Sequence, residues 1–139
     1  MAIVAKRDRY TARTAIVKYS DFGGNLESSS GDVYKITNES AVRESLRNIV
    51  STNKGERFFN PFFGCDIRQL LFENFDPSTE SAIKGAITTA IEENEPRVSL
   101  LEVNLTPVVD LNAMVVTLIF RVINNPTIQS IDIILNRAR

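Results

Sequence analysis

The chain has 139 residues, 43% hydrophobic and 24% charged, with a formal net charge of −1. That length suits one domain with a modest core, and the balance creates no field to gather nucleic acid or an anionic membrane. There is no histidine and only one cysteine, Cys65, which excludes Ser-His-Asp and Cys-His catalysis, histidine-ligated zinc and an intrachain disulfide.

Residues 1–38 read as an extended N-terminal arm, and residues 39–139 as a single domain. The opening "MAIVAKRDRY" lacks the charged-then-apolar order of a signal peptide, and no apolar run approaches the roughly 20 residues of a membrane span. An intracellular origin is therefore expected. Lys6, Arg7, Arg9 and Arg13 outnumber Asp8 at the start of the arm. A short basic arm is by default solvated, so nucleic acid is not an expected partner; an adaptor that binds it through residues 1–14 is the reading to test against. "DFGGNLESSSGD" (21–32) is rich in turn formers, and Val33 to Ile36 fit one short strand.

A first helix is expected over 39–52. Val42, Leu46, Ile49 and Val50 form one apolar stripe, Asn38 suits the N-cap, and "NKG" (53–55) supplies a glycine stop. "GERFFNPFFGCDIRQLLFENFD" (55–76) is dense in phenylalanine and broken by Pro61 and Gly64. It reads as a loop that packs by its own aromatics, holding Cys65 as a small buried hydrophobe, with a short helix at 66–72 capped by Asp66. A second long helix opens at Asp76 as N-cap with Pro77 in its first turn. Ile83, Ala86, Ile87, Ala90 and Ile91 line one face. Glu92, Glu93 and Glu95 crowd its C-terminal end, where negative charge opposes the helix dipole.

Pro96 ends that helix, pushes Glu95 out of helical backbone and sets the directions in which Glu95 and Arg97 project. The period then changes to two. Leu101, Val103 and Leu105 alternate with Glu102, Asn104 and Thr106 as a half-buried strand. "PVVDLNA" (107–113) reads as a turn, and "MVVTLIFRVI" (114–123), apolar on both parities, as a central strand covered on both faces. After a turn at "NNP" (124–126), "TIQSIDIILNR" (127–137) forms a last strand with Ile131, Ile133 and Leu135 on one face. It leaves an edge with little proline or lysine to protect it, a place for β-augmentation. The fold class is α+β, with two main helices packed on one side of a small antiparallel β-meander.

Carboxylates are the only abundant catalytic candidates. Two of Glu73, Asp76, Glu92 and Glu95 would serve a glycosidase if they faced each other across a cleft about 5–9.5 Å wide. Acidic residues at helix ends and on solvated faces account for them equally. No glycine-rich phosphate loop and no acidic cluster with metal-ligand spacing is present in the sequence.

Three segments, in order, carry a family resemblance: "IVSTNKGERFFNPFFGCDIRQLLFENFDP" (49–77), "EPR" (95–97) and "VINNPTIQSIDIILNR" (122–137). With the succession T-x-x-G-E-R, F-G, L-F-E-N and E-P-R, the chain resembles the wedge and sheath-initiator proteins of contractile-tail baseplates, nearest the T-even-like phage version. Related proteins occur in type VI secretion. "YSDF" (19–22) is similar to an early element of the family.

The resemblance implies a structural protein of the virion tail baseplate, assembled in the host cytoplasm. It implies no enzyme, cofactor, metal, small-molecule substrate or membrane. Its implied partners are the wedge core-bundle proteins and the tail sheath subunits, in six-fold placement. Carried over residue by residue, Glu95, Pro96 and Arg97 would contact the core bundle, with Glu56 and Arg57 on the same face. Thr127, Ile128, Gln129, Ser130, Ile131, Asp132, Ile133, Ile134 and Leu135 would accept a sheath arm by strand addition. The alternative function is a lysozyme-like peptidoglycan hydrolase of the baseplate.

Overall fold

A computed structural model describes residues 19–22, 35–123 and 125–136. The basic residues Lys6, Arg7, Arg9 and Arg13, and Val33, lie outside those ranges. The order is β1 (Ser20–Phe22), β2 (Lys35–Thr37), α1 (Glu39–Ser51), a 3-10 helix (Leu70–Phe72), α2 (Pro77–Asn94), β3 (Val98–Val108), β4 (Ala113–Val122) and β5 (Ile128–Asn136). Strands β3, β4 and β5 form an antiparallel meander. Helix α2 packs on β3 and α1, and α1 reaches β5. This is the expected α+β arrangement.

Helix α1 buries Ala41, Val42, Leu46, Ile49 and Val50, and each large aliphatic side chain taken from water stabilises the fold by about 2 kcal/mol. Its start differs from expectation. Asn38 occupies the N-cap position at φ 53 with no side-chain cap bond; its Oδ1 instead accepts from the Tyr19 N–H at 3.4 Å, and its own N–H donates to the Tyr19 carbonyl at 2.8 Å. Asn38 thus fastens β1 to the helix. Strand β1, which periodicity alone does not reveal, pairs antiparallel with β2 through Ser20↔Thr37.

The glycine of "NKG" does not stop α1, which ends at Thr52 in extended backbone. Gly55, at φ 88, and Gly64, at φ 108, instead shape the loop that follows. A Cβ on Gly64 would lie 2.3 Å from the Thr52 carbonyl oxygen, and the next residue, Cys65, donates its N–H to that same oxygen at 2.8 Å. Cys65 is buried as expected, and burial pushes its thiol up to about 12. The short helix shrinks to the 3-10 turn, with Gln69 rather than Asp66 at its N-cap. Helix α2 begins as expected: Pro77 is in its first turn and the Thr79 N–H donates to Asp76 Oδ1 at 2.7 Å.

The sheet corrects three further expectations. Strand β3 runs on through Pro107 and Val108, which an edge strand tolerates because a missing N–H there need break no ladder bond. A bulge between Leu100 and Glu102 shifts the parity. Val98 and Leu100 pack inward before it and Val103 and Leu105 after it, while Leu101 turns outward. Strand β4 buries one face, with Met114, Val116, Leu118, Phe120 and Val122. Its other face, with Val115, Thr117 and Ile119, is only half-buried, because the helices lie on one side of the meander.

Candidate functional site: the Glu95-Pro96-Arg97 turn, the aromatic loop and the free sheet edge

Residue 95 continues the stripe of Ile87 and Ile91 at four-residue spacing, so the helix delivers it to the core face. Glu95 is 2% exposed. Its backbone N–H closes the helix on Ile91 at 2.8 Å, and the pre-proline position takes it out of helical geometry at φ −132. Arg97 folds back on it as a two-pronged partner, with Nε donating to Oε1 at 2.5 Å and Nη2 to Oε2 at 2.6 Å. Glu95 therefore does not project from the helix end. Its charge is compensated within the chain, and Pro96 and part of Arg97 are what reach the surface.

Burial pushes the Glu95 carboxyl up. Hydrogen bonds from Arg97 and Ser45, with the positive charge of Arg97, outweigh that and hold it below the ordinary carboxylate range. Arg97 is raised in turn, first by its bond to Glu95 and, more weakly, by the charge of Asp21. Its guanidinium carbon lies 5.2 Å from the Tyr19 ring centre, a cation–π distance. Its carbonyl accepts from the Ile123 N–H at 2.8 Å, which ties the turn to the end of β4. Sequence reading missed Ser45 and Tyr19. Ser45 had a signal: it lies three residues after Val42 and four before Ile49, at the margin of the buried stripe.

Glu56 is held within its own loop, and Arg57 keeps its charge exposed. Glu56 accepts from Asn53 twice, Nδ2 to Oε1 at 2.7 Å and N–H to Oε2 at 3.1 Å, and the Asn53 side-chain and backbone bonds lower its pKa. The Arg57 guanidinium stacks 3.9 Å from the Phe63 ring centre. Contrary to expectation, the loop does not pack by its own aromatics: Phe58, Phe59 and Phe62 are 95%, 104% and 80% exposed. The compact turns around Pro61 hold these rings away from the core, and only Phe63 packs against it.

The last strand alternates strictly. Gln129, Ile131, Ile133 and Leu135 face the core, while Ile128, Ser130, Asp132 and Ile134 face out. Among the described residues β5 pairs only with β4, so its far side is a free edge. Gln129 Oε1 accepts from Arg43 Nε at 3.2 Å, and its Nε2 is buried without a partner. Asp132 accepts from Thr117 Oγ1 at 2.7 Å, and the Thr127 N–H donates to Asn125 Oδ1 at 3.1 Å. Asn125 Nδ2 also donates to Glu39, anchoring the strand's entry to α1.

Two of the four carboxylates are engaged in structural contacts. Glu95 is locked to Arg97, Asp76 is held below its ordinary pKa by its cap bonds to Thr79, and Glu73 and Glu92 are exposed. A glycosidase acid needs its pKa raised, the opposite displacement. Three surface clefts, of about 260, 350 and 450 Å³, have no aspartate or glutamate in their walls. Among the described residues no group of three potential ligands could hold a metal, and no helix is long and apolar enough to cross a membrane.

A family model described as baseplate wedge protein gp25 matches residues 37–127. The baseplate wedge protein gp25 of Enterobacteria phage T4 is 38% identical over 109 residues, covering 78% of this chain and 83% of that protein. A solved Geobacter sulfurreducens protein, described as a tail-lysozyme candidate, is 26% identical with a TM-score of 0.68, covering 83% of this chain and 97% of its own. A chain in the baseplate of the anti-feeding prophage shares the fold, with a TM-score of 0.62 at 20% identity over 87% of each chain. With more than half of its length matched by one family and a phage relative of that identity, the chain belongs to the baseplate wedge protein gp25 family.

Proposed function

We propose that this protein is a non-enzymatic structural part of a contractile-tail baseplate wedge, which docks on the wedge core-bundle proteins and starts the sheath by strand addition. The free edge of β5, nine residues from Ile128 to Asn136, carries the second half of this reading. Main-chain groups along such an edge fix a partner strand's register, and the outward Ile128, Ser130, Asp132 and Ile134 offer alternate side-chain contacts. Within the segment 127–135, the inward Gln129, Ile131, Ile133 and Leu135 contribute through backbone only.

Docking falls to the Glu95-Pro96-Arg97 turn, with Glu56 and Arg57 on the loop nearby. Glu95 acts there as the anchor that orients Arg97, whose side chain is 33% exposed. A planar guanidinium already fixed by two bonds presents its remaining donors at little entropic cost. The opposing reading, a peptidoglycan hydrolase, has in its favour the description of the Geobacter relative and against it three clefts with no carboxylate among the described residues of their walls.

Two variants separate the halves. Ile128→Lys with Ile134→Lys alters side chains that are each 63% exposed. The expected outcome is normal wedges on which sheath does not polymerise; normal sheath would remove the template role. Arg97→Lys keeps the charge but not the fork, and wedge entry by co-sedimentation should fall while the protein stays folded. Deleting β5 would be uninformative, since Ile131, Ile133 and Leu135 belong to the core.

A further inference from the structure

We propose that the aromatic loop is a second docking element, in which Phe58, Phe59 and Phe62 enter an apolar pocket on another baseplate protein whose rim carries carboxylates. This rests on the wedge reading and adds a surface that neither the turn at 95–97 nor the edge of β5 supplies. Single exposed hydrophobic side chains are ordinary, but here three phenylalanines within five residues, each at least 80% exposed, project from one loop.

The loop is built to hold them there. The Gly55 N–H donates to the Pro61 carbonyl at 2.8 Å, the Asn60 N–H to Arg57 at 3.2 Å and the Phe63 N–H to Asn60 at 3.2 Å. Asn53 and Glu56 clamp the loop's entry, Arg57 lies on Phe63, and Gly64 fits against Thr52 where no side chain would. A projection ordered before binding loses little freedom on docking, and rigid aromatics are the side chains that dominate interface energy.

Charge and position specify the occupant. The Glu56 carboxylate is occupied by Asn53. Arg57 and Arg68 are exposed and have no carboxylate within ion-pair distance among the described residues, so both guanidiniums are open to a partner's carboxylates. Lys54 Nζ lies 3.9 Å from Glu93 Oε2, which sets the loop's start beside the end of α2, two residues before Glu95. One partner surface can therefore span the loop and the turn. Binding to a lipid surface would call for a larger basic cluster than two arginines.

The test uses the full chain and the purified remaining wedge proteins of the same tail. Phe58→Ser, Phe59→Ser and Phe62→Ser together should leave the melting temperature unchanged and weaken binding at least about 10-fold. The matching triple leucine variant should retain most of the affinity. Arg97→Lys, run in parallel, separates the two surfaces. If it alone is impaired, the aromatic claim is wrong and the turn stands; if only the serine variant is impaired, the loop is the dock and the turn is not. Serine-variant binding equal to wild type, or no binding by the wild type, overturns the proposal. So does serine-sensitive binding of the wild type to phosphatidylcholine–phosphatidylglycerol vesicles.

Discussion

Replacing Arg97 by methionine keeps much of the side chain's apolar reach and removes both bonds to Glu95. It leaves a carboxylate 2% exposed with the Ser45 side chain and the backbone N–H of residue 97 as its remaining hydrogen-bond donors. Removing one partner of a buried pair costs about 3–5 kcal/mol, and the low end applies because Arg97 is itself one third exposed. The expected loss is therefore about 3 kcal/mol near neutral pH, or a melting temperature lower by roughly 10 °C. Its pH dependence is the sharper signature. In the wild type the Glu95 pKa is depressed, so the stability it contributes is fully present above the ordinary value of 4.5 and is lost as pH falls through the folded value. In the variant the same carboxyl, no longer paired, should titrate higher, and protonation relieves the buried charge. Urea unfolding at about pH 7 and about pH 4 should show the gap between the two proteins closing in acid. A variant as stable as wild type at neutral pH, or a gap that does not change, would refute the buried-pair reasoning.

Gly64→Ala should destabilise by about 2 kcal/mol or more, from the contact with Thr52 and the left-handed backbone, as measured by urea unfolding. Gly85→Ala is its control: the site is in the interior of α2 with open space at the Cβ, and the change should stabilise by about 1 kcal/mol. Asp76→Ala should lower the melting temperature near neutral pH by removing the cap on Thr79, and the difference should shrink in acid, because the depressed Asp76 pKa makes the cap's contribution an alkaline-side one. The Cys65 thiol should resist a thiol-specific reagent in the native protein and react at once in denaturant, since it is buried with its pKa pushed up to about 12.

Much of the architecture was legible because it rests on periodicity and chemistry that repeat. The stripes of α1 and α2, the Asp76-Pro77 start and the alternation of β5 each appear in the structure as the residues imply. What escaped depends on single-residue events. One extra residue at Leu101 inverts the faces of β3, and nothing in the local pattern announces a bulge. Asn38 has the chemistry of a cap but is drawn to Tyr19, nineteen positions away. Composition suggested a loop packed by its own aromatics, whereas the turns around Pro61 hold three of the phenylalanines out. Glu95 looked exposed because it is charged, although the spacing from Ile87 and Ile91 already pointed it inward.

The central claim, that β5 is a template for sheath, concerns backbone groups more than side chains. Half of the β5 amides face β4, and the others face the free edge. Hydrogen exchange on isolated wedges and on wedges carrying the first sheath ring reads both sets. The expected result is that the edge-facing amides between Ile128 and Asn136 exchange freely in the wedge and become protected once sheath is added. Equal exchange in the two states would contradict the claim.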